Sequence, residues 1–120
     1  GIDVGKLWRT FPASIARLPG EVCALLGQPH TFAPAEVSLI EKTYVGAGYA
    51  KLRAEAAAAI KLLAQTEGIV LDPVYSGKAF AGLLDLVGNG RFPANTQIIF
   101  LHTGGLPGLW PYAMEMTRET

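Results

Sequence analysis

The stretch from Glu67 to Gly105, EGIVLDPVYSGKAFAGLLDLVGNGRFPANTQIIFLHTGG, constrains the fold more than any other, because its periodicity changes within it. Ile69-Val70-Leu71 is a short apolar run that Asp72-Pro73 breaks. From Ser76 the residues Ala79, Phe80, Leu83, Leu84 and Val87 fall at i, i+3, i+4 spacing, a helical pattern that Gly88 and Gly90 end. After a turn at Arg91-Phe92-Pro93, Thr96 to Leu101 is β-branched and apolar, as in a strand buried on both faces, and Thr103-Gly104-Gly105 closes it with a loop. A short apolar run, a helix and a second strand-like run predict an α/β layer. Its two loops, Tyr75-Ser76 and His102-Thr103, then sit at switches between elements, where such sheets bind ligands.

The 120 residues suffice for one domain with its own core but are short for a two-domain enzyme. Only 17% are charged and half are hydrophobic, against about 25% charged in an ordinary soluble domain. So little polar surface implies either an oligomer interface or a piece of a larger α/β protein whose other residues cover the apolar faces; the second is expected. The opening Gly1-Ile2-Asp3-Val4 reads as the tail of a strand entered from upstream.

Ten basic and ten acidic residues leave no net charge to hold a phosphate backbone, so nucleic acid is not an expected partner. Cys23, the single cysteine, has no internal disulfide partner, and its neighbours Val22, Ala24, Leu25 and Leu26 predict a buried structural thiol. No apolar run approaches the roughly 20 residues that span a bilayer, and no signal-peptide pattern opens the chain. A soluble, cytoplasmic protein without a membrane partner is expected. His30 and His102 are far apart, with no cysteine or paired carboxylate beside either, so no metal site is expected.

Lys6 to Gly27 is helical in pattern but interrupted by Pro12 and Pro19, which predicts a packing helix pair. Ile15, Leu18, Val22, Leu25 and Leu26 fall on one face, and Gly27 is a plausible C-cap. Trp8 and Arg9 offer at most a surface contact. Gln28 to Ser38 is turn-rich, and Val37 to Ile40 suits a short edge strand. Gly46 and Gly48 make Tyr44-Val45-Gly46-Ala47-Gly48-Tyr49 a mobile or tightly turned loop with a tyrosine at each end. It lacks the third glycine of a dinucleotide fingerprint. Arg53 to Thr66, rich in alanine, is the clearest helix, ended by Gly68. Leu106 to Tyr112 is a short helix or turn able to dock back on the sheet, and Met114 to Thr120 is expected to fray.

DPVYSGKAFAGLLDL followed by FLHTGG, with YVGAGY at 44 to 49, resembles the C-terminal end of the D-cysteine desulfhydrase and 1-aminocyclopropane-1-carboxylate deaminase family. These are pyridoxal-phosphate enzymes of the tryptophan-synthase-β fold (fold type II). The resemblance implies a three-layer architecture, a mostly parallel sheet with flanking helices. It makes residues 1 to 120 one segment of the larger cofactor-binding domain of a longer enzyme. A small amino-acid substrate, an N-terminal remainder of the enzyme and a homodimer are the partners it implies. Tyr49 matches the active-site tyrosine of the family's GxGY segment, and Tyr75 would flank the substrate opposite it. Thr103 takes the place of the threonine that meets the pyridine nitrogen, with Ser76 in the same neighbourhood and Gly104 letting backbone approach the cofactor ring.

The deaminase branch typically shows VYEGK and HLGG, whereas this chain has Ser76 and Thr103 at those two positions. A carboxylate beside the ring nitrogen favours its protonated form. A hydroxyl can bond an unprotonated nitrogen and adds no charge. The neutral ring is the weaker electron sink, sufficient for β-elimination from cysteine. D-cysteine cleavage to pyruvate, ammonia and hydrogen sulfide is therefore the expected reaction, with deamination of the cyclopropane amino acid or L-cysteate sulfo-lyase activity as alternatives. Lys51 is not expected to carry the cofactor, since the family's lysine lies much earlier in the chain. On that ground the segment alone is expected to be inactive, or to be a noncatalytic unit working only with another chain. Lys78 is expected to be solvated, His102 packed beside the strand end, and Asp72 a cap for the turn before Pro73.

Overall fold

A computed structural model of the chain describes residues 1–5, 11–36 and 44–117. Its helices are α1 (Phe11–Leu25), α2 (Ala54–Glu67), α3 (Ser76–Gly88) and α4 (Ala113–Thr117), with 3₁₀ segments at Pro34–Glu36 and Leu106–Tyr112. The expectations for Trp8, Arg9 and the Val37 to Ile40 strand lie outside the described residues.

α1 is one helix where an interrupted pair was expected. Pro12 sits in the first turn, where its missing N–H has no intrahelical partner to lose, and the helix continues through Pro19 without a donor for the Ile15 carbonyl. It ends as predicted on Gly27, at φ 72°: the Gly27 N–H donates to the Ala24 carbonyl (3.1 Å) and the Gln28 N–H to that of Cys23 (2.9 Å). Its apolar stripe is largely open among the described residues, with only Ile15 half-buried. Leu25 and Leu26 are 87% and 74% exposed, only Ala16 is buried, and Cys23 is half-buried.

The core lies between α2 and α3. Ala56, Ala57, Ala59 and Ile60 of α2 are buried, and the small side chains let α3 come close. At Gly77 a Cβ would fall 2.6 Å from both the Asp72 carbonyl and the Ile60 side chain, so this approach requires glycine. Leu71 is fully enclosed. Burying side chains such as Ile60 and Leu71 contributes about 1.5–3 kcal/mol each. α2 ends on Gly68 in the left-handed conformation, and α3 closes around Gly90, both near the predicted limits.

The expected strands differ. Among the described residues, neither 69–71 nor 96–101 belongs to a ladder, and the only bridge position is Ile2. A buried parallel strand needs neighbours on both edges and cover on both faces. Here Ile99 and Leu101 are 94% and 78% exposed, and Phe100 alone packs inward, edge-on to Phe80 of α3 at 5.3 Å between centroids. The accessible surface is 8635 Å². A compact monomer of this mass exposes about 6,200 Å². The excess fits the low charge content: apolar side chains such as Leu25, Leu26, Ile99 and Leu101 stand open to solvent.

Candidate active site

Asp72 organises the turn that launches α3. Its Oδ2 accepts from the N–H groups of Val74 and Tyr75 (2.8 Å each), and its Oδ1 accepts from the Ser76 N–H (2.8 Å) and the Ser76 hydroxyl (2.5 Å). The Ser76 hydroxyl in turn accepts from the Asp72 N–H (3.0 Å). Burial alone would raise the Asp72 carboxyl; the bonds from Ser76, Tyr75 and Val74 outweigh it and hold the group below its ordinary value. Asp72 therefore caps the turn after Pro73 and the first turn of α3. Ser76 sits differently from the expectation. It is 3% exposed, and its proton is committed to Asp72 rather than offered outward.

The glycine loop at 44–50 is tightly turned, with Gly46, Gly48 and Ala50 all at positive φ. Three side chains fasten it. The Tyr44 hydroxyl donates to Asp85 of α3 (2.7 Å), which, with a smaller contribution from burial, raises the Tyr44 pKa. The Lys78 ammonium donates to the carbonyls of Val45 (3.0 Å) and Gly48 (2.9 Å). The Tyr112 hydroxyl donates to the Ala50 carbonyl (2.7 Å), so the segment after Gly105 docks on this loop and not on a sheet. Lys78 is 1% exposed, where a solvated side chain was expected, and burial followed by the charge of Arg53 lowers its pKa. Beside it lies a cavity of about 180 Å³, which it lines with Tyr44, Arg53, Glu55, Ala56, Ala81 and Asp85.

The loop delivers Tyr49 to Tyr75. Their hydroxyls are hydrogen-bonded, and their rings meet edge to face with centroids 5.8 Å apart. Both are open to solvent, Tyr49 at 57% and Tyr75 at 48%. The bond to Tyr49 raises the Tyr75 pKa, helped by burial and by the nearby Tyr49 and Asp72 charges. Tyr75 thus holds its proton firmly at neutral pH.

The His102–Gly105 loop approaches the same turn. His102 Nδ1 accepts from the Gly104 N–H (3.0 Å), which leaves the proton on Nε2, and Nε2–H donates to the Val70 carbonyl (3.1 Å). Three residues on, Gly105 has φ 94°, and a Cβ there would lie 2.8 Å from the Asp72 carboxylate. Thr103 is therefore carried between two anchors over the Val70–Asp72 segment. It is exposed, and its hydroxyl meets no partner among the described residues. Asp72 thus joins two of the three expected loops, and the tyrosine pair joins the third. Lys78, Asp85 and Tyr112 had no signal as loop fasteners in the sequence, since their partners lie 30 or more residues away.

A solved structure described as an ACC deaminase homologue matches this fold with a TM-score of 0.79 at 35% identity, covering 97% of this chain and 34% of that one. The sequence profile of the pyridoxal-phosphate dependent enzymes matches residues 10–104, and the chain belongs to that family. It is 50% identical over 80 residues to a D-cysteine desulfhydrase of Klebsiella pneumoniae (strain 342), covering 67% of this chain and 24% of the relative. It is 40% identical over 114 residues to one of Salmonella newport (strain SL254), covering 92% and 34%. The chain thus spans about a quarter to a third of the length of these relatives. The family works with pyridoxal phosphate. The described residues fit part of such a group: Thr103 offers a neutral, unspent hydroxyl on a loop anchored at both ends.

Proposed function

We propose that this chain forms the C-terminal part of the active site of a pyridoxal-phosphate-dependent lyase. In that reading the whole protein converts D-cysteine and water to pyruvate, ammonia and hydrogen sulfide. The observation that carries it is the contact between the Tyr49 and Tyr75 hydroxyls, built onto the same Asp72 turn that seats the Thr103 loop. The desulfhydrase relatives at 40–50% identity support it.

When bound, the cofactor supplies electron withdrawal at the substrate α-carbon. Thr103 would hold its ring nitrogen by a hydrogen bond without adding charge, and Gly104 would let backbone lie against the ring. Ser76 acts one layer behind, keeping the Asp72 turn closed. Tyr75, with its raised pKa, is a donor and not a resting base. By donating to the Tyr49 oxygen it leaves the Tyr49 proton to point at a substrate carboxylate. The α-proton is then taken by a group outside this chain, and the cofactor-bearing lysine comes from the same remainder of the enzyme. That remainder also supplies neighbours that turn the Thr96–Leu101 run into a strand of a mostly parallel sheet. We place the assembled protein, a homodimer, in the cytoplasm.

Likeness to the ACC deaminase homologue favours a second reading, ring-opening deamination of 1-aminocyclopropane-1-carboxylate. Thr103 argues against it, because it would add no negative charge at the ring, and Ser76 leaves no carboxylate at the position where the deaminase branch has one. Sulfide release from D-cysteine and 2-oxobutyrate formation from the cyclopropane amino acid, assayed side by side on the whole protein, decide between them. Sulfide release is expected to dominate; dominant ring opening overturns the assignment.

A further inference from the structure

We infer that Lys78 is the positioning residue that sets Tyr49 against Tyr75, by fastening the glycine loop to α3 through the carbonyls of Val45 and Gly48. The inference rests on the lyase reading only in its activity arm. A buried ammonium is an expensive anchor, because it loses hydration and has no carboxylate within ion-pair reach among the described residues. It donates hydrogen bonds to two carbonyls three residues apart. They bracket Gly46 and Gly48, whose positive φ angles leave this loop few restraints of its own. Tyr49 directly follows the second carbonyl. Tyr44 and Tyr112 hold the two ends of the loop, the Arg53 side chain packs against Gly46, and the Lys78 ammonium ties the Val45 and Gly48 carbonyls to α3. Lys78 and Tyr75 stand on one rigid unit, since Tyr75 is fixed by Asp72 at the start of α3 and Lys78 lies in its first turn. Lys78 therefore ties the loop that carries Tyr49 directly to the helix that carries Tyr75.

The test uses the whole protein carrying this chain, loaded with cofactor, as wild type, Lys78→Met, Tyr49→Phe and the double variant. Misplacing a catalytic group by about 1 Å lowers activity by about a hundredfold. Lys78→Met is expected to lower kcat/KM for D-cysteine by about tenfold to a hundredfold. In the Tyr49→Phe background the same change is expected to lower it less than about twofold, because residues acting as one unit are not additive. Equal losses in both backgrounds, or no loss in either, overturn the proposal. A second readout needs no turnover. Tyrosine ionisation followed at alkaline pH shows the late-titrating phenols of Tyr44 and Tyr75 in wild type, and both single variants are expected to lose the Tyr75 component while keeping that of Tyr44. Persistence of the Tyr75 component in Lys78→Met refutes the positioning role even where the protein proves inactive on D-cysteine, while its loss in an inactive protein faults the substrate assignment alone. Should Lys78→Met not accumulate, Lys78→Gln enters the same cycle. Failure of both to give folded, loaded protein also overturns the proposal, since Lys78 is then required for folding and not for placement.

Discussion

Replacing Asp72 by asparagine removes one acceptor from a turn that uses both. The carboxylate takes four hydrogen bonds, two on each oxygen, and the residue is 1% exposed. An asparagine keeps the Val74 and Tyr75 bonds by placing its carbonyl at the Oδ2 position. Its NH₂ then faces the Ser76 N–H, and two donors oppose each other in a buried place. The Ser76 hydroxyl can rotate to accept, but the Ser76 N–H is stranded, at about 1–3 kcal/mol. The surviving bonds change from charge-assisted to neutral and lose roughly half their strength. Relief of the carboxylate's burial offsets part of this, so the net loss is about 2–4 kcal/mol. Urea unfolding of the whole protein followed by circular dichroism at pH 7 measures it. The pH dependence gives a separate check. Because the folded-state pKa of Asp72 lies below its ordinary value of 3.8, its ionisation contributes stability above pH 3.8 that is lost as pH falls through the folded value. Wild type should weaken through that window and Asp72→Asn should weaken less. A loss under about 0.5 kcal/mol at pH 7, typical of a plain surface substitution, with an unchanged acid slope, refutes this account of the turn.

Gly105→Ala places a Cβ 2.8 Å from the Asp72 carboxylate at φ 94°, so cofactor affinity, read by absorbance titration, should fall tenfold or more through displacement of the Thr103 loop. Ile60→Ala empties the seam between α2 and α3 and should destabilise by about 2–5 kcal/mol in urea unfolding. Tyr112→Phe removes the bond to the Ala50 carbonyl, and stability should fall by about 0.5–1.5 kcal/mol with a measurable drop in kcat/KM. Tyr75→Phe removes one partner of the hydroxyl pair with Tyr49; under the proposed lyase reading kcat/KM for D-cysteine should fall by at least tenfold while cofactor absorbance is unchanged.

The helices were legible where their signals are local. Alanines across 54–59 and Gly68 mark α2, the apolar spacing from Ala79 to Val87 marks α3, and Gly27 closes α1 through its own neighbours. Pro19 misled because one proline in a long run lowers helix stability without forcing a stop. The phenols at 49 and 75 were found by resemblance and meet in the structure. Lys78 was misread, because Nζ bonds to backbone carbonyls 30 and 33 residues away leave no mark on side-chain pattern. The direction of the Ser76 hydroxyl is illegible for a related reason: it depends on the carboxylate four residues earlier. The strands at 69–71 and 96–101 have β composition, but pairing is a property of neighbours, and the described residues supply none.

That unpaired run has a practical consequence for anyone producing these residues by themselves. Gln97-Ile98-Ile99-Phe100-Leu101 has no charge and no proline, is rich in β-formers, and holds Ile99 and Leu101 out to water. Segments of this composition template stacking between identical molecules. Expressed in isolation, the chain should accumulate in inclusion bodies, and a lysine introduced at Ile99 would act as a gatekeeper that restores recovery in the supernatant.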